Sequence, residues 1–415
     1  MDNTPVIVKD EMLVKGVVFY LESDLPSEAK FLLEDFRLAV NNAVRAGLQA
    51  RVTSRSALNK LAYKDFRRKH TRMYSQHLVS AFEVAGSVLK SHRRRVRKGV
   101  ACRIPYVKRL MMKAENQAYK LDRKSGVIDL PIRAGCHVEL KLVVSQYHRK
   151  YLDDMALSLG SLTVLPDRVI VAFRKVAPKP FVPESALSLD TNERSLDGVF
   201  VEGDVARAIK AEFPEVAIIQ QRHHERRKRI QRKKAHDRRT SRNLCRREGW
   251  REHHRIDYRL HQVANSVLKF AEERRSAIVL EDLKGFKSKR SKELNRRLSF
   301  WPRRKLHQII EYKAQWKSIP VLKVNPKNSS RTCPTCGRMR YSRMGTEFKC
   351  ECGWHMDRHI NASINLLQTV ISKGMAGGLR FDPGAFQHDV MMILYDPVTG
   401  ARSELNGTSG VVGVT

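Results

Sequence analysis

Acidic residues are scarce in this chain, and long hydrophobic runs are missing from it. Its 415 residues include 43 Asp and Glu against 79 Lys and Arg, so the formal net charge is +36. Such self-repulsion destabilises a compact chain unless a polyanion neutralises it, and we therefore expect nucleic acid as the partner. A basic surface that only keeps the protein soluble is the alternative. No apolar run has the length needed to span a bilayer, which argues against a membrane protein.

Cysteine is also infrequent, and most of it lies in one short stretch. Of the seven cysteines, three are scattered and the others form two close pairs: Cys333, Cys336, Cys350 and Cys352. Pairs at this spacing are typical of a tetrahedral zinc site, because thiolate is the ligand that zinc favours, and they suit disulfides poorly. With no signal-like apolar leader, we expect the protein to stay in a reducing cytoplasm.

Changes in hydrophobic pattern divide the chain into several parts. Short apolar runs separated by turns, such as 127–132 and 169–173, indicate strands, whereas apolar residues at helical spacing over 31–44 indicate a helix. Strands and helices alternate beyond residue 184, which is typical of an α/β layer fold. The predicted parts are a β-rich domain over 1–25 and 99–183, a helical insert over 26–98, an α/β domain over 184–328 and 355–373, a zinc-binding segment over 329–354, and a partly disordered tail over 374–415.

Lys and Arg concentrate in two stretches that are predicted to be helical. One ends the helical insert at 92–98, and the other, 222–255, lies inside a predicted helical stretch from 206 to 275. This density of positive charge exceeds what a solvated helix face needs and is typical of phosphate contact. The residues predicted to bind nucleic acid are Arg93, Arg94, Arg95, Lys98, Arg226, Arg227, Arg229, Lys233, Arg238 and Arg239.

Three carboxylates stand where predicted strands end or where a helix begins. Asp190 and Glu281 each follow a short apolar strand, and Asp357 follows the second cysteine pair. Carboxylates on the rigid edge of a sheet can hold two Mg²⁺ ions roughly 3.5–4 Å apart, an arrangement that hydrolyses phosphodiesters. Each residue also has an ordinary interpretation, since Asp190 could cap a turn and Glu281 could pair with a lysine. In so basic a chain, the three together favour a catalytic site.

The motifs around these residues resemble those of one known family. Leu-Asp190-Thr-Asn, Ile-Val-Leu-Glu281-Asp-Leu, and Cys333-Pro-Thr-Cys-Gly followed by Asp357-Arg-His-Ile-Asn-Ala-Ser look like the three split RuvC motifs and zinc ribbon of TnpB. TnpB is the insertion-sequence-encoded ancestor of the compact type V CRISPR effectors. The likeness is close over 185–370 and limited to layout before that. It implies an α+β multidomain protein: a β-barrel wedge domain with a helical recognition insert, then an RNase H-like (RuvC) α/β domain with an inserted zinc ribbon.

The resemblance also implies an activity, that of a Mg²⁺-dependent, RNA-guided DNA endonuclease. A guide RNA pairs with one strand of the double-stranded target DNA, and the protein reads a short flanking motif. Asp190, Glu281 and Asp357 would then share two Mg²⁺ ions, Zn²⁺ would occupy the ribbon, and the location would be the prokaryotic cytoplasm at the nucleoid. A compact CRISPR effector would share this mechanism and differ in the origin of its guide.

One position departs from the family pattern. Many members carry their third acid two residues before the Asn of the Asn-Ala-Ala/Ser motif, and His359 occupies that place here. Two positions on a helix turn a side chain through roughly 200°, so Asp357 and His359 cannot both point at the site from one helix. Either Asp357 reaches the site from the loop before the helix, which we expect, or His359 supplies a nitrogen ligand. The third alternative is a nuclease-impaired repressor that binds DNA under RNA guidance without cutting it.

Overall fold

Contacts along the chain divide it into two units, Met1–Ala177 and Pro178–Thr415. The division falls shortly before the boundary that the sequence predicts between residues 183 and 184. The computed structural model describes residues 11–100, 103–283, 302–340, 346–375, 378–383, 386–395 and 403–406.

The described residues of the amino-terminal unit form two antiparallel sheets and four helices. Its strands are β1 (Met12–Tyr20), β2 (Met112–Ala114), β3 (Lys120–Asp122), β4 (Val127–Arg133), β5 (Cys136–Lys141), β6 (Ser158–Val164) and β7 (Arg168–Val176). Its helices are α1 (Ser27–Gln49), α2 (Arg55–Lys69), α3 (Ser75–Arg97) and α4 (Gln146–Leu152).

The sheets of this unit have the orders β1-β7-β6-β2 and β3-β4-β5. Alternation of side chains along β1 buries Val17 and Phe19 and exposes Val14 and Val18, as expected for a strand with one face on the core. An isolated bridge between 21 and 142 links the ends of β1 and β5. The two sheets are thus joined at one point, and the closed wedge barrel stays a prediction.

Helices α1, α2 and α3 occupy the stretch where the sequence predicts a helical insert. α1 buries Leu32, Phe36 and Val40 at helical spacing and packs against α3. Ser54 caps α2, because its hydroxyl oxygen accepts a hydrogen bond from the backbone N–H of Ala57 at 3.1 Å. The last turn of α3 carries basic residues, which interact favourably with the carbonyl end of a helix.

The carboxy-terminal unit contains the large sheet. Its strands are β8 (Ser185–Thr191), β9 (Ser195–Glu202), β10 (Val205–Glu212), β11 (Ser276–Glu281), β12 (Val321–Val324), β13 (Glu347–Lys349), β14 (His355–Asp357), β15 (Phe386–Tyr395) and β16 (Ser403–Asn406). Its helices are α5 (Pro214–Lys233), α6 (Arg238–Glu273), α7 (Arg303–Trp316) and α8 (Arg358–Ser372). The sheet has the order β12-β11-β8-β9-β10-β15-β16. Strands β8, β11 and β12 are parallel neighbours, and β9 runs antiparallel to both β8 and β10.

Helices cover both faces of this sheet. On one face, Leu187, Leu189 and Leu280 pack in a core with residues of α6 and α7. On the other face, Ala186 and Val279 pack against apolar residues of α8. Both faces of the central strands are therefore buried, which explains why β8 and β11 are nearly continuous apolar runs.

Two parts of the sequence prediction for this unit are wrong. Residues 206–212, predicted to be helical, form most of β10. Small alanine side chains on both faces of this strand pack under the helices that cover the sheet. The segment 374–415, predicted to be a partly disordered tail, supplies β15 and β16, and β15 pairs parallel to β10. The last nine residues of that segment lie outside the described residues. None of the described helices is long and apolar enough to cross a membrane.

Glycine is required at position 198, where β9 pairs with β8. A Cβ atom at this position would lie 1.9 Å from the carbonyl oxygen of Ser188, and a backbone atom cannot move aside without shifting the strand. We expect Gly198→Ala to lower the stability of this unit by at least about 1–3 kcal/mol, the usual effect of overpacking. Thermal unfolding measures the change.

Gly249→Ala is the matched control for that substitution. Gly249 lies in α6, and an added Cβ would meet no heavy atom within 4 Å. Alanine favours a helix over glycine by about 1 kcal/mol, so this variant should melt at a slightly higher temperature than the wild type. A Gly198→Ala variant that melts with the wild type would contradict the backbone contact.

Candidate active site

Four charged residues lie side by side across neighbouring strands of the large sheet. Asp190 stands near the end of β8, and Glu281 ends the parallel strand β11 beside it. Asp197 of β9 is the registered partner of Asp190, and Lys210 of β10 is the registered partner of Asp197. Paired residues of neighbouring strands point to the same face of a sheet. We call Glu281, Asp190, Asp197 and Lys210 the charged row.

The carboxyl groups of Glu281 and Asp190 are hydrogen bonded to each other. Burial, and then the negative charge of Asp190, raise the pKa of Glu281 to about 9, against the opposing effects of the Thr191 backbone N–H and the charge on Arg303. At neutral pH Glu281 therefore keeps its proton. A cation that replaced this proton would be bound with favourable electrostatic energy.

The start of α8 places a histidine against Asp190. Nδ1 of His359 lies 2.7 Å from Oδ2 of Asp190. Burial lowers the pKa of His359, but the hydrogen bond to Asp190 and the charges of Asp190, Asp357 and Asp197 outweigh burial and raise it. His359 therefore holds its proton more tightly than a free histidine does.

Asp357 occupies the position before α8 and caps the helix. Its Oδ1 atom accepts hydrogen bonds from the backbone N–H groups of His359 at 2.8 Å and Ile360 at 3.2 Å. Asp357 is close enough to act on His359 and Lys210 through its charge. One oxygen of Asp357 thus caps the helix. The role of Asp357 as the third metal ligand stays a prediction.

Ser363 fixes α8 on the sheet beside the charged row. Its hydroxyl oxygen accepts a hydrogen bond from the backbone N–H of Asp190 at 3.0 Å and donates one to the backbone carbonyl of Asp197 at 2.9 Å. The carbonyl of Ser363 accepts a hydrogen bond from the hydroxyl of Ser188 at 2.8 Å. These buried groups satisfy one another, so the helix that carries His359 has a defined position against both acid-bearing strands.

Asn361 and Asn365 tie the same helix to the cysteine-bearing segment. Nδ2 of Asn361 donates to the carbonyl of Thr332 at 3.0 Å, and its Oδ1 accepts from Nε1 of Trp354 at 3.0 Å. Nδ2 of Asn365 donates to the carbonyls of Ser329 and Thr332, each at 2.8 Å. Both polar residues of the Asn-Ala-Ser motif, Asn361 and Ser363, therefore hold α8 in place.

The four paired cysteines converge on one point. Their Sγ atoms all lie within 4.8 Å of one another, with Cys333–Cys352 at 3.6 Å and Cys336–Cys350 at 3.5 Å. Four thiolates around a tetrahedral Zn²⁺ with bonds of about 2.3 Å are about 3.8 Å apart, so the donor set and spacing fit zinc. Burial raises the pKa of the Cys333 thiol to about 12, whereas a backbone N–H of Cys352 lowers that of Cys350 to about 7. The cluster could therefore hold zinc, as the sequence predicts.

Sequence reasoning missed Asp197. The hydroxyl of Ser195 donates to its carboxylate at 2.7 Å, Asn192 donates to it as well, and burial raises its pKa. A signal for it was present, because the short polar stretch after β8 indicates a hairpin that would bring Asp197 opposite Asp190.

His307 and Arg303 of α7 were also missed. Nε2 of His307 lies 2.7 Å from the hydroxyl of Thr191, next to Asp190, and burial lowers the pKa of His307 to about 4, so the ring is neutral. The guanidinium of Arg303 interacts electrostatically with Glu281. Both contacts depend on how α7 packs on the sheet, which no local sequence pattern reveals.

Most residues predicted to bind nucleic acid lie on exposed surfaces of their own unit. Arg227 differs, because its guanidinium pairs with Glu252 and its side chain is 19% exposed. The buried carboxylate of Glu252 requires a counter-charge, and α5 supplies it across the helix pair. The exposed ones are Arg93, Arg94, Arg95, Lys98, Arg226, Arg229, Lys233, Arg238 and Arg239.

Family models and curated relatives match parts of the chain. A family model described as the Cas12f1-like TNB domain matches residues 304–366, and one described as the uncharacterized MJ0013 family matches 32–128. The TnpB-like protein MJ0751 of Methanocaldococcus jannaschii is 29% identical over 241 residues, which are 56% of this chain and 86% of that protein. The chain is thus similar to TnpB-like proteins.

More distant proteins share parts of this chain or its fold. The CRISPR-associated endodeoxyribonuclease Cas12f2 of a Micrarchaeota archaeon is 30% identical over 131 residues, 29% of this chain and 24% of that protein. A Cas12f1–sgRNA–target DNA complex has a TM-score of 0.53 at 13% identity, covering 82% of each chain. CasPhi-2 bound to crRNA has a TM-score of 0.56 at 11% identity, covering 88% of this chain and 98% of that one. At these identities the two structures show a shared mixed α/β fold.

Cys333→Ser tests the cysteine cluster. We expect bound zinc to fall at least about tenfold and the melting temperature to drop, because structural zinc contributes folding free energy. Elemental analysis gives the zinc content per chain. Cys245→Ser, in α6 and outside the cluster, is the control and should keep both values. Normal zinc content in the Cys333→Ser variant would refute the assignment of this ligand.

Proposed function

We propose that this protein is an RNA-guided DNA endonuclease. The proposal rests on the contact between the carboxyl groups of Asp190 and Glu281 at the ends of adjacent parallel strands. Relatives support it, since Cas12f1 and Cas12f2 carry the name endodeoxyribonuclease. The strand order β10-β9-β8-β11-β12, with helices on both faces, supports assigning this domain to the RuvC-like class.

Asp190 and Glu281 have the donor chemistry of a Mg²⁺ site. Mg²⁺ prefers carboxylate oxygens, and the proton that Glu281 holds beside Asp190 can be exchanged for a cation. We assign Asp357 as the third ligand through Oδ2, since Oδ1 serves the helix cap. Two Mg²⁺ ions bound here would neutralise the phosphodiester and make a water more acidic.

The surroundings of the carboxylates contribute to the same task. The amino terminus of α8 lies beside Asp190, and the positive end of its dipole favours an anionic phosphate there. His359 orients the Asp190 carboxylate through Nδ1 and carries a proton beside the reacting group. Lys210 offsets the charge of Asp197, so that the charged row does not repel the nucleic acid.

The partners we propose are a guide RNA and double-stranded target DNA. The solved complex of Cas12f1 contains sgRNA and target DNA, and this chain shares that fold. A net charge of +36 suits a protein that binds two polyanions. The exposed arginines and lysines of α3, α5 and α6 are the candidates for their phosphate contacts, while base pairing supplies the sequence specificity.

The contact between His359 and Asp190 favours a second candidate function. The His359 imidazole contacts one oxygen of Asp190, and its pKa is raised there, so that when protonated it takes the place of a cation. In that case the protein would bind DNA under RNA guidance as a repressor without cutting it. The two candidates differ only in whether the acids hold Mg²⁺, so cleavage assays separate them.

Asp190→Ala and Glu281→Ala should each lower cleavage of a guide-matched DNA by at least about a hundredfold, since loss of metal ligation removes several kcal/mol of transition-state stabilisation. Binding of guide and target should change little, because the phosphate contacts remain. Asp204→Ala, an exposed acid in the turn between β9 and β10, is the control and should cut normally. Normal cleavage by either first variant would refute the site.

Asp357→Asn and His359→Asp separate the candidate third ligands. Asparagine caps a helix as well as aspartate does, so Asp357→Asn removes the charge and keeps the fold. We expect it to lower cleavage at least about tenfold with an unchanged melting temperature. His359→Ala, which removes the alternative nitrogen ligand, should cut near the wild-type rate if Asp357 is the third ligand. His359→Asp, which restores an acid at this position, should be an active nuclease in either case. If instead the wild type does not cut and His359→Asp does, the repressor is the correct function.

A further inference from the structure

Three exposed aromatic side chains form a stripe on α6. Trp250, His254 and Tyr258 follow one another at intervals of four residues, so they lie on one side of the helix. Trp250 is 60% exposed and Tyr258 is 62% exposed. The rings of Trp250 and His254 meet edge to face with their centroids 4.3 Å apart. We call these three residues the aromatic stripe.

The aromatic stripe contributes nothing to the core. The opposite side of α6 is buried through residues such as Ile256, Leu260 and Val263, which pack against the large sheet and α7. Single exposed aromatic residues are common on protein surfaces, but consecutive ones on a single helix face form a continuous apolar surface. Such a surface indicates a binding partner.

Positive charge surrounds the aromatic stripe. Arg247, Arg251 and Arg255 are exposed on the same part of α6. Glu248 and Glu252 are buried on the other side, where they pair with residues of α5, and Glu248 also pairs with Arg251. The remaining acid, Asp257, is paired with Lys305 of α7. The outward face therefore combines aromatic rings with guanidinium groups, and its charge complements a polyanion.

We propose that the aromatic stripe binds unpaired nucleotides of single-stranded DNA. Bases stack on aromatic rings, and arginines contact the phosphates between them, which is how proteins hold single strands without reading sequence. A duplex offers phosphates and hides the faces of its bases, so the arginines alone would suffice for it. An apolar protein surface would leave the flanking arginines without an anionic partner.

The position of the aromatic stripe favours the DNA strand over the guide, and this choice rests on the proposed function. Nζ of Lys305 in α7 lies 3.2 Å from Nε2 of His253 and pairs with the carboxylate of Asp257. Helix α7 therefore contacts α6 beside the aromatic stripe. Two residues before Lys305, Arg303 interacts with Glu281. The stripe is thus one helix away from the acids, where the strand to be hydrolysed must be unpaired.

Trp250→Ala in the full-length protein, purified with whatever RNA it carries, tests this proposal. Anisotropy of a fluorescein-labelled oligothymidylate should show a dissociation constant raised about tenfold, the usual effect of removing one stacking ring. Trp250→Phe should restore most of the affinity. Phe31→Ala, which removes a 71% exposed ring from α1 in the other unit, should have no effect.

Salt dependence distinguishes stacking from charge. Trp250→Ala should leave the slope of log Kd against log salt unchanged, whereas Arg255→Ala should reduce that slope by about 0.7, the value for one phosphate contact on a single strand. The second variant Tyr258→Ala should behave like Trp250→Ala, with the wild-type melting temperature.

Two results would overturn the proposal. One is unchanged oligothymidylate affinity in both Trp250→Ala and Tyr258→Ala. The other combines two measurements on these variants: absorbance shows that they have lost the copurifying RNA, and the RNA-free chain binds oligothymidylate with unchanged affinity. The stripe would then bind RNA. The binding assay requires neither cleavage nor a guide, so failure of the proposed nuclease activity would leave this test intact.

Discussion

Two carboxyl groups in contact at the edge of a buried sheet cannot both be ionised without a nearby positive charge. That constraint explains what surrounds Asp190 and Glu281. Arg303, His359 and the amino terminus of α8 all bring positive potential to this point from different elements. The same requirement makes the position selective for cations when Glu281 loses its proton.

The elements that carry these charges are held by polar contacts rather than by apolar packing alone. Ser363 connects α8 to the backbones of two strands, and Asn361 connects the same helix to the cysteine segment. A change at the cysteine cluster would therefore reach His359 through a single rigid helix. In this arrangement the cysteine cluster lies outside the charged row and helps to hold α8, and with it His359, beside that row.

The sequence was sufficient for the residues whose positions follow from local pattern. Asp190 and Glu281 end apolar runs, and parallel strands end at one edge of a sheet, so their proximity could be expected. The sequence could not decide whether Asp357 or His359 faces the site, because that depends on which side chain caps α8. The cap engages one oxygen of Asp357 and turns His359 toward Asp190.

The two errors in the fold have a common cause. Residues 206–212 are rich in alanine and charged residues, whose intrinsic preference is helical, and only burial between two layers of helices makes them a strand. The strand β15 pairs with a partner about 180 residues earlier in the chain, so nothing in its own sequence shows where it belongs. Long-range pairing outweighs local preference in both cases.

The late arrival of β15 has a consequence for biosynthesis. Strand β10 leaves the ribosome long before Phe386–Tyr395 is translated, and one of its two hydrogen-bonding edges has no strand beside it during that interval. An open edge of this kind can pair with the edge of another nascent chain, and closing it requires a contact of long sequence separation, which forms slowly. Translation speed and chaperone capacity should therefore limit the yield of folded protein more than its final stability does.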